Sequence, residues 1–239
     1  MKIKSFTLIE LMAVVSIIAI LAGIVVYGIN DWKDDANLKK IIAYSNEIKS
    51  KLGFSLIAEW KMEEGDSNTD IYDSGRFGIK GYAQGTSQME TNCPEGDECI
   101  CSKGAEILFY NIPYNLKFKT ICFWVKTSND VSFVLMENQN DFKISFNNGL
   151  INFDVYSADG VFTPIPFTGK VANDNKWHFV CGSIDKNSVF YGTIDGEVKA
   201  NKSVGVSNFG RKPFSNLCIG CDPTTFYIDD LMIFEDSLF

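Results

Sequence analysis

The sequence predicts an α+β protein in which a long amino-terminal α-helix precedes an antiparallel β-sandwich. Residues 11–29 contain neither a charged residue nor a proline, and residues 30–55 repeat apolar side chains at helical spacing. Beyond residue 56 the chain breaks into short alternating or aromatic-rich runs. A helical region followed by many short strands, with no second helical stretch, favours a separate sandwich or barrel.

The composition limits the partners of the protein. The formal net charge is -8, and arginine occurs only at Arg76 and Arg211. Binding to nucleic acid depends on clustered Lys and Arg that neutralise phosphates, so no nucleic-acid partner is expected. The 19 Phe, 9 Tyr and 4 Trp can fill a sizeable β-rich core in one domain.

The apolar run at residues 6–29 follows a five-residue head, MKIKS. About 20 apolar residues in a helix span the hydrocarbon core of a bilayer. A secretory signal peptide has a shorter apolar region and a small-residue cleavage site, whereas Gly23 is followed here by IVVYGI. The run is therefore predicted to remain on the protein as a transmembrane helix.

Glu10 lies near the start of this apolar run. An ionised carboxylate near the centre of a membrane segment costs roughly 2.5–3.5 kcal/mol, and such residues are usually functional. The sequence leaves two interpretations open: an acid at the membrane interface of a simple anchor helix, or a functional residue.

The head with Lys2 and Lys4, a small residue, and Phe-Thr-Leu-Ile-Glu at 6–10 resemble the amino terminus of type IV pilins and type II secretion pseudopilins, over residues 1–55. The resemblance implies that prepilin peptidase removes a leader, residues 1–5, by cleavage between Ser5 and Phe6 and methylates Phe6. The family normally has Gly where this chain has Ser5.

Cleavage would expose an α-amine on Phe6, which Glu10 of a neighbouring subunit could neutralise. A charge pair in a low dielectric is favourable only when both partners are present, so the pair would fix the register of assembly. The implied partners are identical or related pilin subunits and the inner-membrane assembly machinery. The chain would be a single-pass membrane protein before assembly and part of an extracellular filament afterwards.

Residues 30–55 are predicted to be an amphipathic helix that continues to the globular domain. Leu38, Ile41, Ile48 and Leu52 recur at helical spacing with lysines between them, and Gly53 is a stop signal.

Ten segments beyond residue 56 have strand character. They are residues 56–62, 105–110, 120–127, 132–137, 141–147, 149–156, 177–185, 189–196, 216–220 and 226–234. Asp195-Gly196 is typical of a tight turn between two antiparallel strands.

Five pieces of the chain, in this order, resemble the laminin-G-like, concanavalin-type jelly-roll family over residues 56–239. They are AEWKMEEG (58–65), IYDSGRFGIKG (71–81), FWVKT (123–127), the paired segments 175–185 and 189–196, and the closing segment 219–238. The resemblance implies recognition of glycans or other surface ligands.

Catalysis is not expected. His178 is the one histidine, and it lies within a predicted strand beside Trp177, which is typical of packing or of the surface. Related sandwiches that cleave glycans use paired carboxylates in a Glu-x-Asp-x-x-Glu strand, and that spacing does not occur here.

The resemblance to the jelly-roll family implies a calcium site formed by Asp73 and Asp229. Calcium is coordinated by clustered carboxylate and carbonyl oxygens. Asp229 shares strand parity with Leu231 and Ile233, so it is predicted to face inward. The alternative is that these acids are solvated loop residues, with Asp229 capping backbone amides.

Seven cysteines in an exported domain predict disulfides. They are Cys93, Cys99, Cys101, Cys122, Cys181, Cys218 and Cys221. The first three lie in one polar segment predicted to be a loop, where a local bridge would stabilise the chain. Cys218 and Cys221 could bond to each other or to that loop, or form a zinc site with Cys99 and Cys101. Cys122 and Cys181 are either buried thiols or a bridge between sheets.

The sequence therefore favours a filament subunit that displays a β-sandwich for adhesion or glycan recognition. Two alternatives remain, a membrane-anchored glycan-binding module and a type II secretion pseudopilin. A mature chain that begins at methylated Phe6 would separate the filament subunit from the anchored module.

Overall fold

A computed structural model describes residues 7–63, 70–85, 87–91, 93–94, 98–103, 106–110, 117–138, 141–156, 162–169, 172–205, 217–220 and 224–239. Helix α1 spans Leu8–Leu52, so the two predicted helical segments form one element. A short 3-10 helix, Gly53–Ser55, follows it. The chain divides into two compact units, Met1–Lys40 and Ile41–Phe239, so the end of α1 belongs to the same unit as the strands.

The strands form two antiparallel sheets, which confirms the predicted β-sandwich. In chain order they are β1 Leu56–Trp60, β2 Asp70–Tyr72, β3 Lys80–Gln84, β4 Ser87–Thr91, β5 Glu98–Lys103, β6 Glu106–Tyr110, β7 Thr120–Lys126, β8 Phe133–Asn138, β9 Phe142–Asn147, β10 Leu150–Tyr156, β11 Phe162–Pro166, β12 His178–Ile184, β13 Val189–Ile194, β14 Glu197–Ser203, β15 Leu217–Ile219 and β16 Thr225–Phe234. Sheet A has the order β14-β13-β12-β7-β16-β5-β4, with β1 also paired to β16. Sheet B has the order β11-β10-β9-β8-β15-β6-β3-β2.

The core lies between the two sheets and follows strand alternation. On β7, Ile121, Phe123 and Val125 point into the core cluster, whereas Cys122 and Trp124 are buried on the other face of sheet A. Period-two alternation therefore sets which side chains fill the space between the sheets.

The end of α1 packs on that other face of sheet A. Ile41, Ile48 and Leu52 are buried, and the ring of Tyr44 meets that of Phe179 edge-on at 6.1 Å between centroids. Because the helix occupies this face, the buried side chains of sheet A lie in two layers.

A bulge changes the predicted orientation of Asp229. The register of β16 against β7 shifts just after Asp229, where Asp230 has a φ of 46°. Ile228 and Leu231 both lie in the core between the sheets. Asp229 pairs instead with Trp124, on the helix-covered face. The prediction that Asp229 faces the core in phase with Leu231 is therefore wrong, because one extra residue in a strand inverts its alternation.

Two predictions about the cysteines are also wrong. Cys99 and Cys101 lie in strand β5 rather than in a loop. Cys122 and Cys181 form a disulfide, but it joins the neighbouring strands β7 and β12, where the two residues are directly paired. The bridge lies within sheet A and does not link the two sheets.

Candidate functional site

An open groove crosses the outer face of sheet B and has a volume of about 410 Å³. Strands β8 to β11 form it, and its lining residues are Ser132, Phe133, Val134, Lys143, Ser145, Phe146, Asn147, Asn152, Asp154 and Pro164. Small-molecule sites are typically clefts of this size in which a few placed polar groups give specificity.

The polar lining follows from alternation in strands β9 and β10. Phe142, Ile144 and Phe146 enter the core, so the residues that alternate with them, Lys143 and Ser145, face outward. Asn152 lies opposite Ser145 in the β9–β10 pair. Together with Asn147, these side chains present amide and hydroxyl groups, which can donate and accept hydrogen bonds.

A two-residue turn sets the register of this lining. Asn148 and Gly149 connect β9 to β10 and have φ values of 50° and 77°. Positive φ at both central residues is the pattern of the hairpin turn that Asn-Gly favours. At the same end of the groove, the Ser132 hydroxyl donates a hydrogen bond of 2.9 Å to the side-chain oxygen of Asn147.

Asp154 is the acid that lines the groove. Its side chain is largely buried, and burial raises the pKa of its carboxyl to about 6, although the nearby charge of Lys143 acts in the opposite direction. Burial, with the charges of Glu137 and Asp154, also raises the pKa of the Tyr156 phenol on the same strand. A perturbed acid in a cleft is typical of a functional site.

At the other end of the chain, Glu10 caps its own helix. Its carboxylate Oε2 accepts hydrogen bonds of 2.9 Å from both the backbone N–H and the hydroxyl of Thr7. The backbone N–H of Glu10 donates to the Thr7 hydroxyl at 3.3 Å. These reciprocal bonds form a capping box. The sequence analysis missed this role, although the Thr-x-x-Glu spacing before an apolar run is its signature.

Ser5 and Phe6 lie outside the described residues, so the predicted cleavage site stays a prediction. Within the described part of the chain, no helix combines the length and the apolar character that a membrane crossing requires.

Comparison with known proteins identifies the family. Residues 110–239 match the concanavalin A-like lectin/glucanases superfamily, which is more than half of the chain. The chain belongs to this superfamily. Residues 1–26 match the prokaryotic N-terminal methylation motif, which confirms the resemblance of the amino terminus to the type IV pilin signal. No curated protein matches the chain significantly.

Solved structures share the lectin-like fold of the sandwich. The binding domain of botulinum neurotoxin serotype D superposes with a TM-score of 0.64 at 17% identity, covering 79% of this chain and 50% of that one. The binding domain of Paraclostridial Mosquitocidal Protein 1 gives 0.65 at 15% identity, with 79% and 50% coverage. The serotype D ligand-binding domain in complex with N-acetylneuraminic acid gives 0.63 at 16% identity, with 80% and 50% coverage.

The chain thus spans about half the length of these solved binding domains. Its matched families are a processing signal and a lectin-like domain, and the solved structures are binding domains. The matched families agree with the expectation that the chain is not an enzyme.

Asp73 has a structural role in the lectin-like domain. Its Oδ1 accepts hydrogen bonds from the backbone N–H groups of Glu59 at 2.8 Å and Gly75 at 2.5 Å. Its Oδ2 accepts one from Ile79 at 3.0 Å. The carboxylate thereby ties the loop after β2 to strand β1. A side chain at Gly75 would meet the Cα of Ala58 at 2.7 Å, so the loop approaches β1 as closely as glycine allows.

The structure does not bring Asp73 and Asp229 into one cavity. Asp73 lines a cavity with Ile71 and Tyr72, whereas Asp229 lines a small one with Lys49 and Asp230. Among the described residues, no group of three or more His, Cys, Asp or Glu side chains is placed to hold a metal. Both carboxylate oxygens of Asp73 accept hydrogen bonds from backbone amides, and the calcium site stays an untested prediction.

Of the two disulfides that the described residues form, one is local and the other lies within one sheet. Cys93 and Cys99 are bonded over a separation of six residues, which confirms the predicted local bridge. Cys218 is also disulfide-bonded, and its partner lies outside the described residues, as does Cys221. Cys101 is a buried thiol. A bonded Cys218 does not fit the alternative zinc site.

His178 is buried between two carboxylates, which the sequence analysis did not predict. Its Nδ1 lies 2.9 Å from Asp195 Oδ2, and its Nε2 lies 3.0 Å from Asp174 Oδ1. Asp195 also accepts a hydrogen bond of 3.0 Å from the Phe179 backbone N–H. The His178 side chain is 4% exposed, so this arrangement is a packed polar network, in agreement with the predicted non-catalytic role.

Proposed function

We propose that the chain is a subunit of a type IV pilin-like filament that displays its lectin-like sandwich for adhesion to glycans. The observation that carries the proposal is the presence, on one chain, of a methylation motif and a concanavalin A-like domain with an open polar groove. The N-acetylneuraminic acid complex of the serotype D domain supports glycans as the ligand class.

The surface of the amino-terminal helix supports assembly. Its large apolar side chains between Leu8 and Ile24 are exposed, from 46% at Val14 to 78% at Ile9. A contiguous apolar surface of this kind needs a membrane or a protein partner to cover it. In the proposed cycle, the cell membrane covers this surface before assembly and the helices of neighbouring subunits cover it in the filament.

Glu10 links the cap to assembly in this proposal. Both bonds to Thr7 use Oε2. The proposed partner of Oε1 is the α-amine that prepilin peptidase exposes on Phe6 of a neighbouring subunit. Burial of this amine without a counter-charge would be costly, so subunits in the wrong register would be rejected.

The capping box allows the two roles of Glu10 to be separated. Glu10→Gln keeps a side chain that can cap the helix but removes its charge. Thr7→Ala removes the capping hydroxyl and keeps the charge of Glu10. We expect Glu10→Gln to abolish filaments and Thr7→Ala to retain them, as judged by electron microscopy of filaments sheared from the cells. Intact-mass analysis should show that both mature chains begin at methylated Phe6.

Filaments of parental number in Glu10→Gln would contradict the charge pair and leave the cap as the role of this residue. A mature chain that retains residues 1–5 would contradict the filament proposal and favour a membrane-anchored glycan-binding module.

A further inference from the structure

We propose that the groove of sheet B binds an uncharged oligosaccharide that lies along strands β9 and β10, and that it rejects sialylated glycans. The inference rests on the proposed function, namely that the sandwich binds glycans, and it names the ligand class of that site.

The charges on the outer face of sheet B argue against an acidic sugar. Lys143 lies opposite Glu137 of β8 on one side and opposite Asp154 of β10 on the other. Adjacent strands are about 4.8 Å apart, so each carboxylate is close enough to offset the charge of the ammonium. At neutral pH this row carries two carboxylates for one cation, because neutral pH lies above the pKa of Asp154, about 6.

Lys202 reaches the edge of the groove from strand β14. Its amine donates a hydrogen bond of 2.9 Å to the carbonyl of Pro164 at the edge of the groove. The carboxylate of a sialic acid bound along β9 and β10 would lie beside Asp154. Repulsion between the two carboxylates is a penalty that an uncharged sugar avoids.

The neutral groups of the groove suit hydroxyl-rich ligands. Asn152 pairs with Ser145 across the strands, and Asn147 with Ser132 lies farther along β9. These side chains both donate and accept hydrogen bonds, as sugar hydroxyls do. With Asp154 as an additional acceptor, the groove can bind hydroxyl groups without a charged partner.

The spacing of these groups favours an oligosaccharide over a single sugar. Residues two apart on one strand face the same side and are separated by about 7 Å, twice the rise per residue. Lys143, Ser145 and Asn147 therefore form three successive positions along β9, with partners on β10 or β8. A groove that is open and extends over three such positions matches a chain of sugar units.

The test compares uncharged and sialylated members of matched oligosaccharide pairs on an array. Titration calorimetry of the full-length chain in detergent then follows for the best-bound pair. We expect the uncharged member to bind at least about tenfold more tightly, which corresponds to about 1.4 kcal/mol. Asn152→Ala should weaken this binding about three- to tenfold through a lost hydrogen bond. The matched control Asn201→Ala, on exposed strand β14, should not weaken it.

Charge variants test whether the groove instead prefers a sialylated glycan through a lysine. The double variant Lys143→Gln, Lys202→Gln tests whether either ammonium carries recognition, and the control Lys186→Gln at an exposed turn should leave the affinity for the uncharged ligand within about threefold. Preference for the sialylated member, lost in the double variant, would overturn the inference and leave the proposed function standing. Tight neutral binding that Asn152→Ala does not weaken would overturn the placement in this groove. Binding of neither member would overturn both the inference and the proposed glycan role.

Discussion

Two acids of the sandwich show how the surroundings of a carboxyl group set the direction of its pKa shift. Burial raises the pKa of Asp154 to about 6, because one nearby lysine does not compensate for the loss of water. The pKa of the Asp174 carboxyl is lowered instead. Burial acts to raise it, but the hydrogen bond and charge of His178, with the backbone N–H of Lys176, outweigh the effect of burial. The direction of each shift therefore depends on the partner that the fold supplies.

Asp154→Asn should stabilise the protein at neutral pH. Since the folded-state pKa of Asp154 lies above the ordinary aspartate value of 3.8, its contribution to stability is complete below about pH 4 and is lost as the pH rises through about 6. Asparagine carries no charge at any pH, so the variant should be more stable than the parent above pH 6, by at most about 3 kcal/mol, and similar below pH 4. Thermal unfolding of both chains between pH 3.5 and 8 measures this. A stability difference that does not change with pH would contradict the raised pKa.

At the scale of elements, a pair of glycines lets the two sheets approach. Gly182 of β12 and Gly192 of β13 are directly paired. A Cβ at Gly182 would lie 2.5 Å from the Phe153 ring, and one at Gly192 would overlap the ring of Phe167. These two rings stack at 5.5 Å between centroids, so both glycines leave room for aromatic side chains that help to fill the core.

Gly192→Ala should therefore destabilise the sandwich by about 1–3 kcal/mol, the usual cost of overpacking a core. Phe167 is buried and cannot move aside without disturbing its neighbours. The matched control is Gly53→Ala, where nothing lies within 4 Å of the added methyl group. Urea unfolding monitored by fluorescence measures both variants, and equal midpoints would show that the core can accommodate the methyl group.

At the scale of the whole molecule, the two faces of the sandwich differ in what covers them. The end of α1 covers part of sheet A, where Lys49 Nζ pairs with Asp230 Oδ2 at 2.5 Å. Lys51 Nζ donates to the carbonyl of Leu238 at 2.9 Å. The groove lies on the outer face of sheet B, so one face holds the helix while the other carries an open polar groove.

Ile48→Ala should test how much the helix contributes to the stability of the sandwich. Ile48 lies on the buried side of α1 and is 1% exposed. Truncation of such a side chain costs about 2–5 kcal/mol. Glu47→Ala, on the exposed side of the same turn, should change stability by less than about 0.5 kcal/mol. Calorimetric unfolding of the full chain measures both. Equal melting temperatures would show that the sandwich does not depend on this contact.

The strands that the sequence analysis missed have a common cause. The end strands of the two sheet orders, β14 and β4 in sheet A and β11 and β2 in sheet B, were not predicted, nor were β3 and β5 next to two of them. Edge strands carry polar residues and proline because one side is unpaired, as in Glu197–Ser203 and in Phe162–Pro166. The central strands were predicted because burial on both faces makes their apolar pattern strong.

The candidate site was predicted only in part, for a similar reason. A glycan-binding sandwich follows from the family resemblance, but Asn152 and Asp154 are unremarkable in a sequence. They form a groove only because the Asn148-Gly149 turn fixes the β9–β10 register and β8 and β11 lie on either side. Asp73 was singled out correctly as a loop residue, but its hydrogen bonds go to backbone amides.

The sequence by itself determined the helix, the central strands, the methylation motif and the absence of a catalytic histidine pattern. These features are local, since helical and strand periods and short motifs are properties of neighbouring residues. Tertiary structure alone decided the pairing of Cys122 with Cys181, the bulge that turns Asp229 away from the core, and the face that α1 covers. Each of these depends on contacts between residues far apart in the chain, where no local pattern distinguishes the alternatives.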